Sequence, residues 1–171
     1  MAQRITAHLL DIEDADKVLL TANRSLSKAG LAIHGTNAYD ALTANTISFI
    51  VNGIFYSKAA MASIAAATLG GAAGALDETG ASVTMSALAT GYDQAFLLLL
   101  NAAGTVKAIQ GPAVVTGASV PVPGVPPLYA SFGLIKVRNA SGSNFVFGTT
   151  NFSASNVTTT FYDVSLSPGV I

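Results

Sequence analysis

The sequence predicts a mainly β protein, a sandwich or jelly-roll-like barrel built from hairpins, with an N-terminal helix or arm. Three observations carry that prediction. Asn52-Gly53 sits between the apolar runs "TISFIV" and "IFYSKAA", and Asn-Gly accepts the positive φ that a two-residue type I′ turn requires. "AFLLLLNAAGTVKAIQG" repeats the arrangement about Asn101–Gly104. "NVTTTFYDVSLSP" is rich in β-branched and aromatic residues and stops at Pro168, as a closing strand would.

The division expected is an arm over residues 1–35 and a β domain over 36–171. In the arm, Asp11, Glu13, Asp14 and Asp16 precede Lys17, Arg24 and Lys28, while Leu9, Ile12, Leu19 and Leu20 fall at roughly helical spacing. This fits a helix over 8–22, or an extended arm that orders only against a partner. Gly30 and Gly35 separate the arm from the β domain.

Counting outward from Asn52-Gly53 sets the register of the first hairpin: Val51 opposite Ile54, Phe49 opposite Tyr56 and Ile47 opposite Lys58 on one face. Ile50 opposite Phe55 and Ser48 opposite Ser57 make the other. That second face is apolar only beside the turn, where a hairpin tip is normally wet. Ile50 and Phe55 are therefore candidate interface residues, covered by a symmetry mate or a partner surface, or else by another layer of the same subunit.

The Ala-rich stretch from Met61 is cut by Gly70, Gly71, Gly74 and Gly80, so it predicts a short helix or loop, followed by a strand over 82–88. In the second hairpin Phe96–Leu100 is apolar on both faces, which makes it a central strand. "GPAVVTGASVPVPGVPP" holds five of the six prolines and reads as a surface crossover from one sheet to the other. "FGLIKVRNASGSNFVFG" predicts a third hairpin with Asn139–Ser143 as its loop. Lys136 and Arg138 project on one face of it and are further interface candidates.

Composition excludes several functions. Only 10% of the 171 residues are charged, against roughly 25% in ordinary soluble domains, and mean hydropathy is +0.54. Much of the surface must be small and uncharged, or hidden against other chains. A net charge of −1 gives no basic footprint for nucleic acid. The uncharged run 59–76 is mostly Ala, Gly, Ser and Thr, a packed segment and not a membrane span. The start lacks the apolar core of a secretory signal.

With no cysteine there is neither a disulfide framework nor a thiolate site. His8 and His34 are the only histidines and do not suggest zinc. "LGGAAG" lacks the Gly-Lys-Ser/Thr of a phosphate loop. Asp77-Glu78, with Asp93 or Asp163 brought near by folding, are the candidates for paired carboxylates, but Asp-Glu-Thr-Gly is turn chemistry. No catalytic, cofactor or metal residue is expected. The sequons at Asn23, Asn139, Asn151 and Asn156 suit a Ser- and Thr-rich chain by chance.

The order Val51-Asn52-Gly53, Tyr56-x-Lys58-Ala59-Ala60, Asn101-Ala102-Ala103-Gly104-Thr105-Val106 and Gln110-Gly111, followed by "FGLIKVRNASGSNFVFGTT" and "NVTTTFYDVSLSP", resembles small virion proteins of tailed bacteriophages and prophages. The resemblance covers about residues 44–168, and residues 1–35 depart from it. It implies a virion structural component of the head decoration (cement) type, made in the host cytoplasm and bound outside the shell of the major capsid protein. A homo-oligomer, a trimer, would suit a capsid site. The alternative is a tail fibre or baseplate module binding a host-surface glycan, and behind it a glycan-degrading enzyme.

Overall fold

The structure is a computed structural model that describes residues 23–164. The chain runs β1 Arg24–Ser25, β2 Leu31–Ile33, β3 Ala41–Thr43, β4 Ile47–Val51, β5 Ile54–Lys58, α1 Ala66–Gly70, β6 Ala75–Leu76, β7 Tyr92–Asn101, β8 Val106–Gln110, β9 Val114–Val115, β10 Tyr129–Asn139 and β11 Val157–Asp163. The mainly-β class is as the sequence predicts. A six-stranded sheet has the order β11-β10-β7-β8-β6, with β9 beside one end of β7. A three-stranded sheet, β1-β4-β5, and the pair β2-β3 complete it. The helix and closing-strand end expected over 8–22 and at Pro168 lie outside the described residues.

The first hairpin has the register read from its turn, Val51 to Ile54 through Ile47 to Lys58. Asn52 and Gly53 have φ of 53° and 73°, the pair of left-handed residues that a type I′ turn needs. Strand β1, from within the segment assigned to the arm, pairs with β4, and β2 pairs with β3. In the second hairpin Asn101 closes the turn, its Oδ1 accepting from Thr105 N at 2.9 Å. Apolar side chains on both faces put β7 at the centre of the large sheet, between β10 and β8.

The two faces of the large sheet are covered differently. On the first, Phe96, Leu98 and Leu100 meet Ile47, Phe49 and Val51 of the small sheet. On the second, Leu97, Leu99, Ile109 and Leu134 lie under Val120, Val122 and Val125 of the Pro-rich segment. That segment thus joins β8 to β10 within one sheet and roofs its second face, where a crossover between sheets was expected. Beyond the short β9 pairing its prolines keep it out of the ladder, yet its valines still reach apolar surface.

Two further expectations are corrected. Residues 82–88 form no strand, only single bridges, Leu76 with Ser82 and Leu88 with Phe145. The strand after Asn139–Ser143 does not return either, because β10 pairs with β11 instead. Residues 144–156 leave the sheet and bury Phe145, Phe147 and Phe152, each worth about 1.5–3 kcal/mol when removed from water. Phe147 packs on Phe96 with ring centroids 4.5 Å apart. Gly148, at φ 81°, presses against the backbone of Ala66 and Ala67 at the start of α1. The Phe-x-Phe alternation that reads as a strand serves a core-filling loop.

A β-bulge fixes what each face carries. The pairing of β10 with β7 slips between Ser131 and Gly133, so Phe132 is one residue in excess. Ala130 and Phe132 before the slip, and Ile135 and Val137 after it, therefore share the first face. Leu134 falls on the second, and Lys136 and Arg138 follow it there. Unbroken alternation from Phe132 would have driven both cations into the aromatic core.

Candidate functional site

The long strands β7 and β10 end in two unlike surfaces. At the Asn101–Tyr129 end, the turns of the first and second hairpins come together. Between them lies a groove of about 350 Å³ lined by Val51, Asn52, the turn residues 101–103, Leu128 and Tyr129. Beside it the tip of the first hairpin is uncovered, with Phe55 61% and Ile54 57% exposed. Gly104 of the second turn lies against the Lys58 side chain of the first hairpin.

Leu128 sharpens this end. Its φ is 70°, a left-handed conformation that costs a residue with a Cβ about 1–2 kcal/mol, and its side chain is 56% exposed. An aliphatic side chain held in water by a strained backbone gains nothing for the fold. Such strain is characteristic of functional surfaces.

Of the sequence-predicted interface residues, Phe55 is presented here and Ile50 is not. Ile50 is only 6% exposed, flanked by β1 on one side and β5 on the other, with Arg24 directly opposite it. Of the two alternatives the sequence left open, Ile50 is covered within the same subunit, whereas Phe55 is left uncovered. Leu128 was missed because its exposure depends on a backbone conformation after Pro126-Pro127 that no sequence pattern marks.

Lys136 and Arg138 lie at the other end, seven and nine β10 residues from Tyr129 and so about 23 and 30 Å away. Arg138 is bound to Asp93, directly opposite on β7. Its Nε donates to Oδ1 and Oδ2 at 3.1 and 3.2 Å, and Nη2 donates to Oδ2 at 3.0 Å. Thr116 Oγ1 donates to the same carboxylate at 3.0 Å. Burial, the largest single influence, pushes the Asp93 carboxyl up, but the Arg138 and Thr116 bonds, the Gly117 amide and the Arg138 charge together hold it below its ordinary value.

The remaining carboxylates are not gathered. Asp77 is held below its ordinary value by the Thr79 hydroxyl and the amides of its own turn, as the turn reading requires. Glu78 Oε1 accepts from Gly124 N at 2.9 Å, tethering the Pro-rich segment. Asp163 accepts from Leu31 N at 3.0 Å. Asp40 accepts from Ala66 N at 3.1 Å, at the start of α1. His34 accepts from the amides of Thr36 and Asn37. Among the described residues no three His, Cys, Asp or Glu side chains cluster as a metal site, and no described helix is long and apolar enough to cross a membrane.

Compared with protein-family models, curated proteins and solved structures, the chain matches none.

Proposed function

We propose that the chain is a non-enzymatic structural protein of a tailed-phage virion, which decorates and stabilises the capsid by seating its apolar hairpin end on the major capsid protein. The observation that carries this reading is the uncovered row of Ile54, Phe55 and Leu128 around a groove at one end of an otherwise charge-poor molecule. Aromatic and aliphatic anchors of this kind supply most of the energy of a protein interface. A homo-oligomer at a symmetric shell site would repeat the contact and multiply it. The resemblance of residues 44–168 to virion proteins points the same way.

Antibody labelling of purified virions, viewed by electron microscopy, tests the location. Label over the heads is the expected result, and label confined to tails would transfer the protein to the fibre or baseplate reading. Co-sedimentation with undecorated heads tests the surface: Phe55→Ser should leave the fold intact and lower the bound fraction, and undiminished binding would exclude the hairpin end as the attachment.

A further inference from the structure

We infer that the shallow cleft on the face shared by the paired strands β10 and β11 binds a pyranose carrying one anionic group. The cleft holds about 180 Å³ and is lined by Lys136, Arg138, Thr158, Thr160 and Tyr162. It lies at the opposite end of β10 from the apolar groove, so it does not depend on whether the protein sits on a head or a tail.

Charge selects the anion. Lys136 and Arg138 bring two positive charges and Asp93 one negative, which leaves one positive charge over. Among the described residues Lys136 has no carboxylate partner, since the ion pair here is Arg138 with Asp93. Asp93 engages Nε and Nη2, which locks the guanidinium plane and leaves Nη1 to donate elsewhere. A donor fixed in advance by a buried carboxylate loses little freedom on binding.

The neighbouring strand selects the ring. Thr158 pairs with Arg138, Thr160 with Lys136 and Tyr162 with Leu134, so three hydroxyl-bearing residues recur at every second position, about 6.7 Å apart along the backbone, on the same face as the cations. The intervening Thr159 hydroxyl donates to Phe152 O on the other face. Those of Thr158, Thr160 and Tyr162 have no partner among the described residues. Hydroxyls that donate and accept, beside an exposed aromatic ring with an apolar face, match a sugar's hydroxyls and its C–H surface. A bare phosphate or carboxylate would use the cations and leave these hydroxyls unused.

The test is an amide-resolved NMR titration of the full chain with three probes. Glucuronate carries ring and charge, glucose the ring alone, and inorganic phosphate the charge alone. Glucuronate should move the amides of Lys136 and of residues 158–162 with an affinity in the millimolar range, and the other two should bind at least about tenfold more weakly. Lys136→Gln and Tyr162→Ala should each weaken glucuronate by about tenfold at unchanged Tm, and Lys136→Arg should restore it. Phosphate binding as tightly as glucuronate would reduce the cleft to a bare anion site and overturn the proposal. Equal binding of glucose, no shift with any probe, or shifts indifferent to Lys136→Gln would overturn it as well.

Discussion

Asp93 and Arg138 face each other between β7 and β10 near one end of these strands, the carboxylate fully buried and the guanidinium 42% exposed, joined at 3.0 Å. The folded Asp93 carboxyl lies below its ordinary value of 3.8, so folding favours the ionised form. Its contribution to stability is fully present above that value. It erodes as pH falls through 3.8 and is lost beneath the lowered folded value. Asp93→Asn should therefore destabilise the protein at neutral pH, and the gap to wild type should close on acidification; a gap independent of pH would refute the linkage. Arg138→Met, which strands the buried carboxylate, should lower stability at neutral pH as measured by urea denaturation.

Gly53 occupies a left-handed position in a two-residue turn. Gly53→Val should cost about 1–2 kcal/mol through the Cβ clash alone. Thermal unfolding of the mutant checks it, and an unchanged Tm would mean that the turn is not of this type in solution.

Gly148 combines a left-handed φ with contact against the Ala66–Ala67 backbone, which has no rotamer to yield. Gly148→Ala should cost at least about 2 kcal/mol and loosen the packing of Phe147 on Phe96. Near-ultraviolet circular dichroism would report the loss of that aromatic packing.

Leu128 separates binding from folding. Asn tolerates the left-handed region, so Leu128→Asn should leave the free protein as stable or raise its stability by up to about 1 kcal/mol. Its affinity for undecorated heads should fall. A mutant that loses stability and keeps its affinity would make Leu128 a structural residue.

Attachment through an apolar end has its own response to salt. An interface that buries about 1,200 Å² or more without charge pairs should persist when sodium chloride rises from about 0.1 M to about 1 M and the Debye length shrinks from about 10 to 3 Å. Sedimentation with bare heads at the two salt concentrations measures it. A steep loss would shift the attachment to Lys136, Arg138 and the acidic cluster near the N-terminus.

What was legible in the sequence was local. Asn52-Gly53 and Asn101–Gly104 announce themselves because turn conformation selects residue type, and pairing is then set by counting. The uninterrupted Phe96–Leu100 run marks a strand buried on both faces. What failed was pairing at a distance. Phe145 and Phe147 carry strand-like alternation, yet Asn139 is committed elsewhere, its Nδ2 donating to Leu88 O and Ser143 O. Val157–Asp163 supplies the partner for β10 instead. The bulge at Phe132 was equally hidden, since an extra residue in a strand leaves the composition of that strand unchanged. At the candidate site, Phe55 was readable as an apolar residue beside a turn, whereas the burial of Ile50 and the strain at Leu128 depend on neighbours far along the chain.

The partnership of β7 with β10 also has a temporal consequence. The two hairpins need only short turns to close, but Asn101 meets Tyr129 and Tyr92 meets Asn139 only after an intervening chain has been gathered in. Its closure entropy is spent before any contact repays it. Topologies dominated by such remote pairings assemble in milliseconds to seconds. With its centre built from a non-local pairing, the molecule should fold more slowly than either hairpin closes, which stopped-flow refolding would measure.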